Sequence, residues 1–249
     1  YREHQDCLSS FVLDDNVKTI FEQYLNGSAS EITLQSSLVF LSEVLFKAYH
    51  KKVFILIDEY DSPLTNAYQH TPKHLISSED GFLYRLSNFM RDLFSAALKT
   101  NSYLEKGLMT GILRVSKNNM LSGLNNLKVY TVLDEKYNQY FGFTQEDVNE
   151  LIAARMPADN IDEIKSFYNG YLIGGRVMYN PWSFMNYLED KRLAPYWVMT
   201  SNDSILRDHF IGSNDYTKEQ LKELMLGETM SDEVNVNLQY EDLMEKPSA

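Results

Sequence analysis

Hydrophobic positions in the first part of the chain follow two patterns, one typical of a helix and one typical of a buried strand. Leu34, Leu38, Leu41 and Leu45 recur at intervals of four, three and four residues, so they share one helical face. The unbroken apolar run Val53–Ile57 follows shortly afterwards. Because this run has no polar face, it predicts an inner strand of a parallel sheet, with helices covering both faces.

Further elements around this strand indicate an α/β domain. Asp14–Gly27 carries a helix cap at one end and a glycine stop at the other, and Phe82–Ala97 has the apolar spacing of a long helix. A polar loop is expected from Asp61 to about Ser78. Glu105–Ile112 is the next candidate strand and Leu127–Leu133 another. Alternating strands and helices predict a parallel sheet flanked by helices.

Beyond this core, short helical patterns replace the strands. Helices are predicted at Val148–Arg155 and Ile161–Tyr168, the first preceded by Thr144 and Asp147 in a capping-box arrangement. The stretch Tyr171–Tyr179 predicts a β-hairpin that turns at its two adjacent glycines.

A further helix should start at Asn180–Pro181, with the asparagine as N-cap, and should place Trp182 in the core of this second part. We therefore expect two domains. Residues 1–143 would form the α/β core, and residues 144–249 a mainly helical lid with a small β-hairpin.

Composition narrows the range of functions. The formal net charge of -12 argues against direct nucleic-acid binding. The single cysteine, Cys7, excludes a disulfide framework within the chain and fits a reducing compartment such as the cytoplasm. No segment approaches the roughly 20 apolar residues of a membrane span. The sequence starts at Tyr1 rather than at a methionine, and we expect a fragment of a longer protein.

The candidate chemistry lies directly after the apolar strand, where Asp58 and Glu59 are adjacent. Open α/β sheets bind ligands at the carboxyl ends of their strands. In P-loop nucleotide hydrolases, an acidic pair at this point (the Walker B motif) helps to hold Mg²⁺ and orients the attacking water. The alternative is a strand that simply ends in polar residues. An edge position for the strand, or a helix in its place, would contradict the whole nucleotide interpretation. Asp61 is expected to cap the turn before Pro63, or to be a supporting acid.

The phosphate-binding loop that should accompany these acids, G-x-x-x-x-G-K-[ST], does not occur in the sequence. Gly27 is the single glycine before Val53. The chain thus carries the metal half of a nucleotide site without the phosphate half, so either it is a fragment or the site is degenerate.

Two other motifs are rejected. Glu163–Lys165 matches the E-x-K part of a nuclease motif, which requires a strand, but the surrounding sequence predicts a helix. The five histidines show no metal-binding spacing, so a zinc site is not expected.

Several segments together resemble the AAA-ATPase-like family of bacterial and archaeal proteins. In chain order they are Val53–Leu64, Met109–Lys117, Leu121–Leu127, Tyr140–Thr144, Phe167–Tyr171 and Tyr179–Ser183. The resemblance implies a P-loop core with a helical lid, and ATP and Mg²⁺ as cofactors. It also implies a phosphate loop upstream of Tyr1 and, in many members, a PD-(D/E)XK nuclease-like domain downstream of Ala249.

The resemblance also assigns roles to residues. Asp58 would bind Mg²⁺ and Glu59 would act as base or orient the water. Thr110 would contact the terminal phosphate or the attacking water, although a simple strand-edge threonine is the alternative. Arg114 would approach phosphate, although an arginine after a strand is more often part of a surface ion pair.

Two functions from different classes follow from these features. The first is a nucleotide-dependent switch or ATPase in the intact protein, inactive as this fragment. The second is a non-catalytic interaction or scaffold module that keeps the P-loop fold.

Overall fold

A computed structural model gives the architecture of the chain. It describes residues 1–9, 14–76, 78–112, 121, 124–155, 161–199 and 215–229. Two compact units are present: Tyr1–Asn126 with Ile205–Ala249, and Leu127–Ser204. In this division, residues 127–142 belong to the second unit. The domain boundary expected near residue 143 stays a prediction.

Helices make up most of the first unit. A short 3-10 helix, Arg2–Ser9, opens it. The α-helices are α1 (Asp15–Asn26), α2 (Glu31–Gln35), α3 (Ser37–Tyr49), α4 (Ser62–His70) and α5 (Phe82–Lys99), and a later helix of this unit spans Asp215–Met225.

The ends of α1 confirm the predicted caps. The Asp14 side chain accepts a hydrogen bond from the Val17 amide, and Gly27 stops the helix at φ 74°. A left-handed φ of this kind is one that glycine adopts without a steric penalty.

Two of the predicted segments differ from the structure. The leucine stripe is divided between two helices at Ser36, where α2 ends and the Ser36 amide donates to the Thr33 carbonyl at 3.1 Å. The polar loop expected after Asp61 begins instead with α4, in which proline occupies the first turn. Proline is well suited to that position because the first amides of a helix have no partner within the helix.

The sheet of the first unit consists of β1 (Val53–Ile57) and β2 (Leu104–Met109), which pair in parallel. Helix α5 packs against one face of this sheet, and α3 packs against β1. Gly107 in β2 permits this close packing, because a Cβ atom there would lie 2.6 Å from Leu98 Cδ2. The parallel α/β arrangement of this unit is as predicted.

The prediction of an inner strand with both faces covered is wrong for the described residues. In this part of the chain β1 has β2 as its only strand partner. The side chains of Phe54, Leu56 and Leu108 are 63%, 72% and 60% exposed. Because residues paired across a parallel sheet share a face, these side chains form one exposed apolar surface opposite the helices.

The second unit combines three helices with an antiparallel hairpin. Its helices are α6 (Gln145–Arg155), α7 (Ile161–Tyr168) and α8 (Pro181–Asp190), and its strands are β3 (Asn169–Ile173) and β4 (Arg176–Tyr179). Two 3-10 helices, Asn138–Tyr140 and Tyr196–Met199, complete the elements described in this second unit. The predicted strand at Leu127–Leu133 is absent from these elements.

Local interactions in this unit match the predicted caps. The Thr144 amide donates to Asp147 Oδ2 at 2.8 Å, and the Asp147 amide donates to Thr144 Oγ1 at 3.2 Å. The hydrogen bond from the Thr144 amide lowers the pKa of the Asp147 carboxyl. Asn180 Oδ1 accepts from the Ser183 amide at 2.9 Å, as expected of an N-cap.

The core of the second unit is aromatic, but Trp182 is not part of it. Phe184 is 0% exposed and its ring lies against Phe143, Tyr168 and Tyr179. Trp182 is 51% exposed, which corrects its predicted place in the core. The helix period explains the difference, since two positions along α8 turn a side chain to the other side of the helix.

This assignment predicts different costs for two aromatic truncations on α8. Phe184→Ala should lower the free energy of unfolding by about 3–5 kcal/mol, because it empties a fully buried site. Trp182→Ala, on the same helix, should cost less than about 1 kcal/mol. Urea denaturation followed by circular dichroism measures both values, and equal losses would contradict this description of the core.

Candidate functional site

Asp58 and Thr110 come together because each directly follows one of two paired parallel strands. The Thr110 hydroxyl donates a short hydrogen bond to Asp58 Oδ1. The Glu59 amide donates to the same oxygen at 2.9 Å. One carboxylate oxygen therefore accepts two hydrogen bonds, which fix the orientation of the Asp58 side chain.

Backbone hydrogen bonds continue past the end of both strands and hold this arrangement. The Thr110 amide donates to the Ile57 carbonyl at 2.9 Å, and the Tyr60 amide donates to the Thr110 carbonyl at 3.0 Å. The position of the Thr110 hydroxyl thus depends on the register of the sheet. Asp58, Glu59 and Thr110 are all exposed, so this cluster is accessible to a ligand.

Glu59 has an unusual backbone conformation, with φ 49°. A left-handed conformation costs a residue with a side chain about 1–2 kcal/mol relative to the right-handed one. Such strain is often found where the chain must present a side chain or amide in a particular direction. Here it lies between the end of β1 and the start of α4.

Asp61 is buried, being 4% exposed, and its carboxylate faces the end of β2. Its two oxygens lie 3.3 and 3.2 Å from the amide nitrogen of Ile112. Asp61 occupies the N-cap position of α4, but its side chain makes no capping hydrogen bond there. The predicted role as a turn cap is therefore corrected.

Sequence reasoning missed this contact, and the one signal of it in the sequence is Gly111. A Cβ atom at Gly111 would lie 2.5 Å from Asp61 Oδ1 and 2.6 Å from the Tyr60 ring. A glycine directly after Thr110 thus marks a close approach of two loops.

Arg114, the predicted phosphate contact, lies outside the described residues. Its role stays a prediction.

Magnesium fits the chemistry of Asp58. Mg²⁺ usually keeps several water ligands and takes one or two carboxylates together with phosphate oxygens. An exposed carboxylate oriented by a hydroxyl and an amide meets this requirement. Within the described ranges, no group of three or more His, Cys, Asp or Glu side chains could hold a metal ion. A metal beside Asp58 would therefore need water and ligand oxygens to complete its coordination.

The second unit carries a separate open depression of about 510 Å³ beside the hairpin turn. Tyr137, Tyr140, Gly174 and Arg176 are among its lining residues. Lys136 Nζ lies 5.2 Å from the Tyr130 ring centroid and 5.0 Å from that of Tyr137, within the range of cation–π attraction. The depression shares no residue with the Asp58 cluster.

Residues 4–121 match the sequence model of the AAA-ATPase-like family, described as Predicted AAA-ATPase. The family resemblance carried by the motifs is therefore confirmed for this segment, which contains Asp58, Glu59 and Thr110. The nuclease-like domain that many members carry stays an expectation of the resemblance.

A curated relative extends beyond the matched segment. The chain is 29% identical over 190 residues to a protein of Azotobacter chroococcum mcd 1 named "Uncharacterized protein in vnfD 5'region". The aligned part is 76% of this chain and 35% of that protein, so the chain spans about a third of the relative's length. No solved structure matches the chain.

Among the described helices, none combines the length and the apolar character that crossing a membrane requires.

The strain at Glu59 gives a prediction that needs no ligand. Glu59→Gly should leave the free energy of unfolding unchanged or raise it by up to about 1 kcal/mol, because glycine adopts a positive φ readily. As a control, Glu22→Gly on the exposed side of α1 should lower it by about 1 kcal/mol. Urea denaturation compares the two. A loss at Glu59 as large as that at Glu22 would mean that its backbone is unstrained.

Proposed function

We propose that the chain carries the metal-binding and catalytic half of a magnesium–nucleotide site in an ATPase or nucleotide-dependent switch with a P-loop core. The observation that carries this proposal is the contact between Asp58 and Thr110 at the carboxyl ends of two neighbouring parallel strands. Ligand sites of open α/β sheets lie at such ends. The family match over residues 4–121 supports the same class of protein.

Each residue of the cluster has a role in this proposal. Asp58 would anchor the water shell of Mg²⁺, which neutralises phosphate charge when bound. Glu59 would orient the attacking water and accept its proton. The Thr110 hydroxyl would hold Asp58 in place and contact the terminal phosphate or that water.

The proposal assigns the phosphate loop to a part of the full-length protein outside these 249 residues. An inner position of β1 was one condition for this interpretation, and the described residues do not meet it. The support comes instead from the ends of β1 and β2, where Asp58 and Thr110 are in contact.

A scaffold function is the second candidate, and one observation favours it. The apolar surface of Phe54, Leu56 and Leu108 is exposed on a parallel sheet, whose faces are usually both covered. A module that keeps the fold and binds another protein chain would use such a surface. In that case the acidic pair would only terminate a strand.

We also propose a cytoplasmic location, for which the single cysteine is the supporting observation. Mg²⁺ and ATP are the proposed cofactors, and nucleotide the proposed partner. Direct nucleic-acid binding is not proposed for this chain, because its formal charge is -12.

The chain as given should bind Mg-ATP weakly or not at all. Asp58 cannot replace the contacts that a glycine-rich loop and its lysine make with the β- and γ-phosphates. Calorimetric titration of residues 1–249 with ATP and Mg²⁺ tests this. Magnesium-dependent binding in the micromolar range would contradict this and would show that the chain itself contains a phosphate site.

The full-length protein allows the catalytic roles to be separated. Glu59→Gln should preserve nucleotide binding and slow hydrolysis by roughly 10²–10⁴-fold, because the amide cannot accept the proton. Asp58→Ala should instead weaken magnesium-dependent binding. Thr110→Val should lower turnover slightly without a loss of binding.

Steady-state turnover and calorimetry measure these effects, with Glu22→Gln on the exposed side of α1 as the control. Wild-type hydrolysis by Glu59→Gln would reject the catalytic assignment and favour the scaffold.

A further inference from the structure

The segment after β2 is held at three points: the Thr110 amide donates to the Ile57 carbonyl, and two further contacts follow the Thr110 side chain. The Thr110 carbonyl accepts from the Tyr60 amide, and the Ile112 amide donates to the Asp61 carboxylate. The side chain of Ile112 is 91% exposed, so its burial does not anchor the segment. Polar contacts with residues that follow β1 therefore determine where this segment lies.

The Asp61 carboxylate is well suited to such a contact. It is 4% exposed, and a buried carboxylate requires hydrogen-bond donors to offset the loss of hydration. Hydrogen bonds to a charged acceptor are about twice as strong as those between neutral groups. The Ile112 amide is a backbone donor two residues after Thr110, so a hydrogen bond at this amide limits the positions that Thr110 can take.

Gly111 makes the approach close enough. Its backbone passes beside Tyr60 and Asp61, where a Cβ atom would lie 2.5 Å from the carboxylate. A side chain at this position would push the segment away from the end of β1 and would carry Thr110 with it.

We propose that Asp61 is a positioning residue, which holds the Thr110–Ile112 segment so that the Thr110 hydroxyl meets Asp58. This positioning role rests on the proposed function, in which Thr110 contacts the terminal phosphate or the attacking water. Asp61 would contact neither the phosphate nor the water. It acts through the Ile112 amide and the backbone at Gly111.

The test uses the chain itself, without nucleotide. Backbone amide signals report the geometry by nuclear magnetic resonance, since the Glu59 amide donates to the same Asp58 oxygen as the Thr110 hydroxyl. In Asp61→Ala, the Glu59 signal should move toward its position in a Thr110→Val reference variant. The Ile112 amide should exchange with solvent roughly ten-fold faster, after correction for global stability. Asp61→Asn keeps an acceptor oxygen and should restore both values.

A matched control comes from the other end of β2. Asn101 is also buried, and its side chain accepts from the Tyr103 amide at 3.0 Å. Asn101→Ala should lower stability without moving the Glu59 signal. Gly111→Ala provides a second perturbation, in which the Asp61 carboxylate is present but is crowded by the added Cβ atom, and it should displace the Glu59 signal even if Asp61→Ala does not fold.

An unmoved Glu59 signal in the variants of both Asp61 and Gly111 would overturn the positioning role, as would an equal displacement in Asn101→Ala. Neither result depends on nucleotide. Failure of the full-length protein to bind Mg-ATP would reject the proposed function and leave the positioning role intact.

Discussion

The parallel pairing of β1 with β2 is the constraint on which the candidate site depends. Parallel strands end at the same edge of a sheet, so residues that are distant in sequence, Asp58 and Thr110, become neighbours. A shift of register by one residue would separate them, because successive side chains of a strand point to opposite faces. The hydrogen bonds past the strand ends, from Tyr60 and to Asp61, extend this constraint into the loops.

The two faces of the sheet have different environments, and this difference separates the two candidate functions. Gly107 lets Leu98 of α5 approach one face closely, while Phe54 and Leu56 remain exposed on the other. Apolar side chains exposed on a parallel sheet are a feature that folded domains usually avoid. An enzyme needs the strand ends, whereas a scaffold would use the open face.

Much of the local structure could be predicted because it rests on interactions close in sequence. The cap of α1 at Asp14, the capping box at Thr144 and the glycine turn of the hairpin all involve residues within a few positions of one another. Tertiary features were predicted less well. The burial of Asp61 against Ile112 and the start of α4 at Ser62, in place of the expected loop, depend on neighbours that periodicity does not specify. The exposure of Trp182 follows from the period of α8, because it lies two positions before the buried Phe184. Asp58 and Glu59 were identified from the sequence because the pattern of an apolar strand followed by acids is itself local.

The most direct measurement of the central claim is paramagnetic relaxation by Mn²⁺, which replaces Mg²⁺ in nucleotide sites. In the full-length protein with ATP, the account predicts that Mn²⁺ broadens the amide signals of Asp58, Glu59 and Thr110, and that Asp58→Ala abolishes this broadening. Tyr103, at the other end of β2 in the same unit, serves as a reference position. Nucleotide-dependent broadening elsewhere in the protein, with none at the ends of β1 and β2, would contradict the account.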